Sequence, residues 1–288
     1  MTTFPGPQGI PDWLRTHLKT LGFDGHPEQL SSRRGVSTYV SANCASKMLV
    51  KLAETTSDGS PANESGILRE SAVLSAIEAL RQRFRPTLLR NGKDVALLEN
   101  WIDGTPAFRD ASSLAANGNE PALLNLLGDT LKALNVLHGC RWAHGDLQPL
   151  HFLLTDDGAV LLDYGVAQSD EMPLGQYRGG MVHFNAPEVA EAIIATGCAR
   201  ATPTSDIFSL GATFAFSLAS KVVGEYDMTD SWEDKLRMLA RGRLRTELLR
   251  DLLGDVPIFL KLLLRLLEVD PSDRPDNAAA ALNLLSHD

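Results

Sequence analysis

Two aspartates carry the strongest chemical signal in this chain. Asp146 lies in the run Trp142-Ala143-His144-Gly145-Asp146-Leu147-Gln148-Pro149-Leu150-His151. Asp163 follows 17 positions later, in Val160-Leu161-Leu162-Asp163-Tyr164-Gly165. Between them Asp156-Asp157-Gly158 reads as the turn of a two-strand hairpin. A hairpin folds back on itself, so both carboxylates arrive at the same mouth. That pairing suits phosphoryl transfer. One carboxylate accepts or orients the proton of an attacking hydroxyl, and the other holds a hard cation against phosphate oxygens. A surface hairpin capped by two aspartates is the alternative that either motif alone leaves open.

The elements that must carry these residues follow from pattern. Residues 1–24 read as an extension with a short helix near 12–18, packing on a larger domain. Residues 28–53 read as strands, clearest over 37–40 and 47–53, with a turn at Ala42-Asn43. A polar stretch at 55–63 reads as a loop, and 64–82 has helical spacing. Asn91-Gly92-Lys93-Asp94 signals a hairpin turn into the apolar strand 95–98. After Asp103-Gly104-Thr105-Pro106, leucine-rich helices dominate, over 120–139, 206–220, 232–250, 255–268 and about 276–286. The expectation is an α+β fold of two unequal lobes: extension 1–24, sheet-rich lobe 25–103, helical lobe 104–288, with a hinge near 99–106.

The central segment resembles the protein-kinase superfamily, whose signatures are H-R-D-L-x-x-x-N and D-F-G. Here they stand as His144-Gly145-Asp146-Leu147-Gln148-Pro149-Leu150-His151 and Asp163-Tyr164-Gly165. The resemblance implies that Asp146 is the catalytic base and Asp163 a metal ligand. Three further matches keep the family's order. Ala186-Pro187-Glu188 resembles the end of an activation segment. Ser205-Asp206-Ile207-Phe208-Ser209-Leu210-Gly211 resembles the start of the buried central helix, whose aspartate caps that helix and braces the catalytic loop. Asp270-Pro271-Ser272-Asp273-Arg274-Pro275 resembles the penultimate signature, and Arg274 would pair with Glu188.

The family also needs a strand lysine for the α- and β-phosphates and a helix glutamate to pair with it. Lys51 ends a strand candidate, and Glu70 lies 19 residues later. Ile67, Val73, Leu74 and Ile77 stand at −3, +3, +4 and +7 from Glu70. That puts Glu70 on a buried face, where a carboxylate needs a partner. Glu64, at the helix start, is explained by the helix dipole instead. A surface charge is the alternative for both Lys51 and Glu70. The phosphate-cradling loop is reduced to Ser32–Val40 with one glycine, Gly35. Gly35 would permit close backbone approach, and Ser37 and Thr38 would donate hydroxyls; a plain β-turn fits nearly as well.

Four positions depart from the family. His151 replaces the second metal-binding asparagine, and imidazole favours Mn²⁺ or Zn²⁺ over Mg²⁺. Alternatively it bonds Asp146, serves structure alone or marks lost activity. Gln148 occupies the catalytic-loop position of the lysine beside the γ-phosphate. Met181 replaces the activation-segment threonine. Gly145 replaces arginine, which leaves no receiver for a phosphorylated loop. H-G-D also occurs in aminoglycoside and choline phosphotransferases, but Ala186-Pro187-Glu188 and Asp273-Arg274-Pro275 favour the protein-kinase branch. The expected activity is transfer from ATP, with Mg²⁺ or Mn²⁺, to Ser/Thr of a protein or peptide, a precursor peptide included. A pseudokinase scaffold that binds nucleotide or peptide is the competing reading, and a small-molecule phosphotransferase the third.

Bulk properties narrow the partners. The 288 residues are 44% hydrophobic and 22% charged, with a net charge of −9. Such a chain has no global attraction for nucleic acid or an anionic membrane. Arg241, Arg243, Arg245 and Arg250 cluster, but Glu247 and Asp251 interrupt them, as on a solvated helix face. Three scattered cysteines with no C-x-x-C argue against a disulfide framework or zinc site. With no signal-like start and no apolar run of about 18 residues, cytoplasmic residence without membrane contact is the expectation. Oligomeric state is not encoded in any visible pattern.

Overall fold

Alternation along Lys47–Ala53 decides the layout of the first part of the chain. Val50 and Leu52 point to one face of a sheet, and Lys51 and Ala53 to the other. The structure, a computed structural model, describes residues 9–33, 35–54, 64–171 and 176–286. The chain divides into two units, Met1–Asp103 and Gly104–Asp288. The expected loop at 55–63 lies outside the described residues.

In chain order the smaller unit runs α1 (Asp12–Thr20), β1 (Glu28–Arg33), β2 (Val36–Ala42), β3 (Lys47–Ala53), α2 (Ser65–Ala76), α3 (Glu78–Phe84), β4 (Thr87–Asn91) and β5 (Asp94–Asn100). The strands form one antiparallel sheet, ordered β1-β2-β3-β5-β4. On one face Tyr39, Val50, Leu52, Ala96 and Leu98 pack with Leu14 and Leu18 of α1. On the other, Ala53, Val95 and Leu97 pack with Ile67 of α2. The sheet is therefore covered by a helix on each face, and the N-terminal segment is one of its layers. The expected helix over 64–82 is two helices. Ile77 breaks it with extended dihedrals, φ −101° and ψ 112°. Ile77 is still buried, so the apolar periodicity runs through the break and conceals it.

The larger unit runs β6 (Thr105–Pro106), α4 (Ala111–Ala116), α5 (Glu120–His138), β7 (Trp142–Ala143), β8 (Phe152–Thr155), β9 (Gly158–Leu161), β10 (Gln168–Ser169), α6 (Pro187–Thr196), α7 (Pro203–Ala219), α8 (Trp232–Ala240), α9 (Thr246–Leu252), α10 (Pro257–Leu266) and α11 (Ala278–Leu285). Helix α7 is buried along most of its length. Phe214 on it meets Phe108 edge-on at 4.8 Å and Phe259 of α10 at 5.7 Å, while Phe108 reaches Phe152 of β8 at 5.8 Å. These rings tie the β8–β9 hairpin to the helical core. The expected helix over 232–250 is also two, α8 and α9, because Gly242 turns left-handed at φ 64°. Arg245 is then not on a solvated helix face. Its guanidinium donates to the carbonyls of Gly224 and Tyr226. The α+β fold, a small antiparallel sheet followed by a larger helical part, is the class expected from sequence.

Candidate active site

In the smaller unit the lysine and glutamate meet. Lys51 lies on the α2-facing side of β3, between Thr38 of β2 and Leu97 of β5. Glu70 projects from the buried face of α2, and Lys51 Nζ donates to Glu70 Oε2 at 2.5 Å. The two side chains are 14% and 3% exposed. At that burial neither charge is tolerable without a partner. Glu64 instead pairs with Arg90 near the surface, at 3.0 Å. Gly35 adopts φ 79° at the β1–β2 turn, a conformation that glycine takes without strain. Ser37 Oγ donates across the hairpin to Ser32 Oγ at 3.1 Å.

In the larger unit, Asp206 organises the catalytic loop. It does not cap α7. The cap is Thr202, whose side chain accepts from the Ser205 amide while Ser205 accepts from the Thr202 amide. That releases Asp206, fully buried in the first turn of the helix. Its Oδ2 accepts from the His144 amide at 2.6 Å and its Oδ1 from the Gly145 amide at 2.9 Å. Oδ2 also meets His138 Nε2 at 3.1 Å. His138 Nδ1 accepts from the Ala278 amide, so the proton sits on Nε2 and is donated to Asp206. One buried carboxylate thus fixes the loop just ahead of Asp146.

His144 completes this support. Its Nδ1 accepts from the Asp146 amide at 3.3 Å, and its Nε2 donates to the Leu162 carbonyl at 3.0 Å. The ring therefore links the residue before Asp163 to Asp146 itself. Burial, followed by the neighbouring His151, pushes the His144 pKa down, against the opposing pull of Asp206 and Asp146. The neutral form is the one these two bonds require.

Both oxygens of Asp146 are engaged. Oδ1 accepts from the Met181 amide at 2.7 Å, and Oδ2 from Gln148 Nε2 at 3.3 Å. The main chain at Met181 thus supplies a bond that a threonine hydroxyl supplies in the family pattern. His151 Nδ1 donates to the Asp146 carbonyl at 2.7 Å. Its Nε2 lies 3.6 Å from Asp163 Oδ2, on a side chain about half exposed. Asp163 itself is left-handed, φ 64°, which Asp tolerates better than most residues. Tyr164 anchors the next position, its hydroxyl donating to the Leu161 carbonyl at 2.8 Å.

Two donors 3.6 Å apart can share one divalent cation. Among the described residues no group of three or more His, Cys, Asp or Glu is placed to hold a metal by itself. The Asp163–His151 pair fits an ion such as Mg²⁺, which keeps several waters and takes the rest of its shell from phosphate oxygens. The donor set also admits Mn²⁺ through imidazole.

The segment around Glu188 is locked from below. Arg274 donates from Nη1 and Nη2 to the two Glu188 oxygens, both at 2.8 Å. Its remaining N–H groups go to the carbonyls of Glu268, Thr204 and Val269, and its Cζ lies over the Phe208 ring, 5.0 Å from the centroid.

The model of the protein kinase domain matches residues 34–288. The chain belongs to the protein kinase family. Its kinase relatives are distant. A probable serine/threonine-protein kinase PkwA of Thermomonospora curvata is 28% identical over 34% of this chain and 13% of its own length. Serine/threonine-protein kinase PknK of Mycobacterium tuberculosis is 37% identical over 32% of this chain and 8% of its own. Mitogen-activated protein kinase 16 of rice is 28% identical over 52% of this chain and 35% of its own. The kinase chain thus spans well under half the length of these relatives.

Set beside the residues singled out in the sequence, the kinase structure brings Lys51 to Glu70 in one unit. In the other it brings Asp146, Gln148, His151 and Asp163 together. Ser37 bonds within its own hairpin, and Gly35 serves a turn. Sequence reasoning missed His138, Tyr177 and the Met181 amide. A main-chain donor has no signature in residue type, and neither His138 nor Tyr177 falls inside a motif. No described helix is long and apolar enough to cross a membrane.

Proposed function

We propose that this kinase transfers the γ-phosphoryl group of ATP to Ser or Thr hydroxyls of a protein or peptide. The observation that carries the reading is the pair of bonds on Asp146, from the Met181 amide and Gln148. They orient a carboxylate, on a residue whose main-chain amide is held by His144, toward an incoming hydroxyl. Asp146 is the residue to take the acceptor's proton as the new P–O bond forms. Gln148 keeps that carboxylate in one rotamer, although as a neutral amide it offers less charge stabilisation than a lysine. Asp163 and His151 would hold the Mg²⁺ or Mn²⁺ that accompanies ATP. A bound cation there neutralises charge on the phosphate oxygens. Lys51, oriented by Glu70, would take the α- and β-phosphates. Gly35 and Ser37 would lie along the phosphates, with the Ser37 hydroxyl exchanging Ser32 for a phosphate oxygen. The partner is the protein or peptide acceptor, and the expected compartment is the cytoplasm.

The test is incubation of the protein with γ-labelled ATP, Mg²⁺ or Mn²⁺ and a mixed protein acceptor, followed by identification of the phosphorylated residue. Phosphoserine and phosphothreonine in the wild type, absent with Asp163→Asn, support the reading. Nucleotide binding with no label transferred by the wild type points instead to a pseudokinase scaffold.

A further inference from the structure

We propose that Tyr177 is a positioning residue: its uncharged hydroxyl latches the end of the activation segment to the catalytic loop, replacing a phosphate–arginine pair. The inference rests on the reading of Asp146 as the base. Kinases with H-R-D order this segment by pairing a phosphorylated residue between D-F-G and A-P-E with basic side chains. Here Gly145 stands at the arginine position and brings no side chain there.

The structure shows what occupies that place. Tyr177 is 4% exposed. Its hydroxyl donates to the Gly145 carbonyl at 2.5 Å and accepts from the Gly180 amide at 3.2 Å. Its own carbonyl accepts from the Ala199 amide at 2.8 Å, which fixes its main chain. A Cβ on Gly145 would lie 3.0 Å from the Tyr177 ring and 3.1 Å from Ala201 Cβ. Gly145 also has φ 79°. A side chain at 145 would therefore crowd the ring of Tyr177 on a backbone that favours glycine, and Gly145 and Tyr177 act as a matched pair.

The latch reaches the base within two residues. Gly180 Cα packs directly onto Asp146. A Cβ there would collide with Asp146 Oδ1 and come within 2.8 Å of Asp146 Cα. The next amide, Met181, donates to Asp146 Oδ1. So the Tyr177 hydroxyl holds Gly180, and Gly180 places the donor that orients the carboxylate. Asn185 Oδ1 shares the Gly180 amide at 3.2 Å and steadies the same turn.

Charge argues that Tyr177 replaces a phosphorylation site and is not one itself. Burial, then the fields of Asp206 and Asp146, push its pKa well up, so the hydroxyl stays a donor. A phosphate on that oxygen would sit buried in the same acidic surroundings, to which Glu188 also contributes.

The experiment uses Tyr177→Phe, which keeps the ring against Gly145 and deletes the hydroxyl. Amide hydrogen exchange at Gly180 and Met181 should quicken about tenfold, the scale of one lost buried hydrogen bond. The kcat for acceptor phosphorylation should fall about tenfold, with KM for ATP unchanged and the melting temperature close to wild type. Phosphatase treatment of the wild type should leave its rate unchanged. Wild-type exchange at 180–181 in the variant overturns the latch, as does a phosphatase-sensitive wild-type rate. A fall in kcat that merely follows loss of folded protein overturns it too. The exchange readout needs no turnover. If the wild type transfers nothing, the catalytic reading fails and exchange still decides the role of Tyr177.

Discussion

His151 turns its Nε2 toward the Asp163 carboxylate, 3.6 Å from Oδ2. Its other nitrogen, Nδ1, is committed as a donor to the Asp146 carbonyl at 2.7 Å. In the neutral ring the lone pair on Nε2 therefore lies on the Asp163 side. A second partner that fixes the tautomer is the usual arrangement around metal-binding imidazoles.

Replacing His151 by asparagine should shift the metal preference. The ratio of Mn²⁺- to Mg²⁺-supported rates should fall by about tenfold, the low end of the effects seen when metal-site partners are changed. Steady-state rates with each ion, at matched free metal, measure it. An unchanged ratio removes His151 from the metal site.

The Lys51–Glu70 pair should show opposite effects on stability and on function. Glu70→Gln removes a negative charge bonded to a buried ammonium and should cost about 3 kcal/mol by urea denaturation. The double variant Lys51→Met, Glu70→Leu should recover most of that loss, because packed apolar groups replace the pair. It should still fail to bind a fluorescent ATP analogue. Tight binding by the double variant would show that Lys51 does not hold phosphate.

Arg274 should not be replaceable by lysine. Lysine has three donors on one atom, whereas Arg274 spreads its donors over Glu188 and three carbonyls. Arg274→Lys should lose about 3 kcal/mol of stability or more. Equilibrium denaturation measures this, and a loss under about 0.5 kcal/mol, the scale of an ordinary surface substitution, would contradict it.

Acid should weaken the fold through His144. Its pKa is depressed in the folded state, so the unfolded chain binds the proton more readily. Stability from this group is complete above the unfolded value of about 6.5 and is lost as pH falls through and below it. Melting temperature between pH 8 and 5 should decline, and His144→Gln should flatten that decline. An equal slope in both proteins would assign the acid sensitivity to other groups.

Much of this was legible in sequence because the family motifs are local. The Asp146 and Asp163 hairpin, the 47–53 strand and the buried face of Glu70 all follow from short-range spacing. Two long helices were misread for a shared reason. Apolar periodicity continues through Ile77 although its backbone does not, and a single left-handed glycine, Gly242, ends α8. The contacts that finish the site are non-local. Asp206 reaches His144 across 62 residues, and Tyr177 reaches Gly145 across 32. The Asp206 brace was expected only through the family resemblance, and no window of sequence shows the Tyr177 pair. Gly145 was visible as a missing arginine, but what filled its place was not.

Asp146→Asn provides the most direct measurement of the central claim. Single-turnover transfer from γ-labelled ATP to an acceptor protein should fall at least a thousandfold, roughly what loss of a catalytic base and its oriented bonds removes together. ATP affinity, measured on the same sample, should stay within about threefold, since this is ground-state binding that the base does not provide. Equal transfer by wild type and variant would contradict the account.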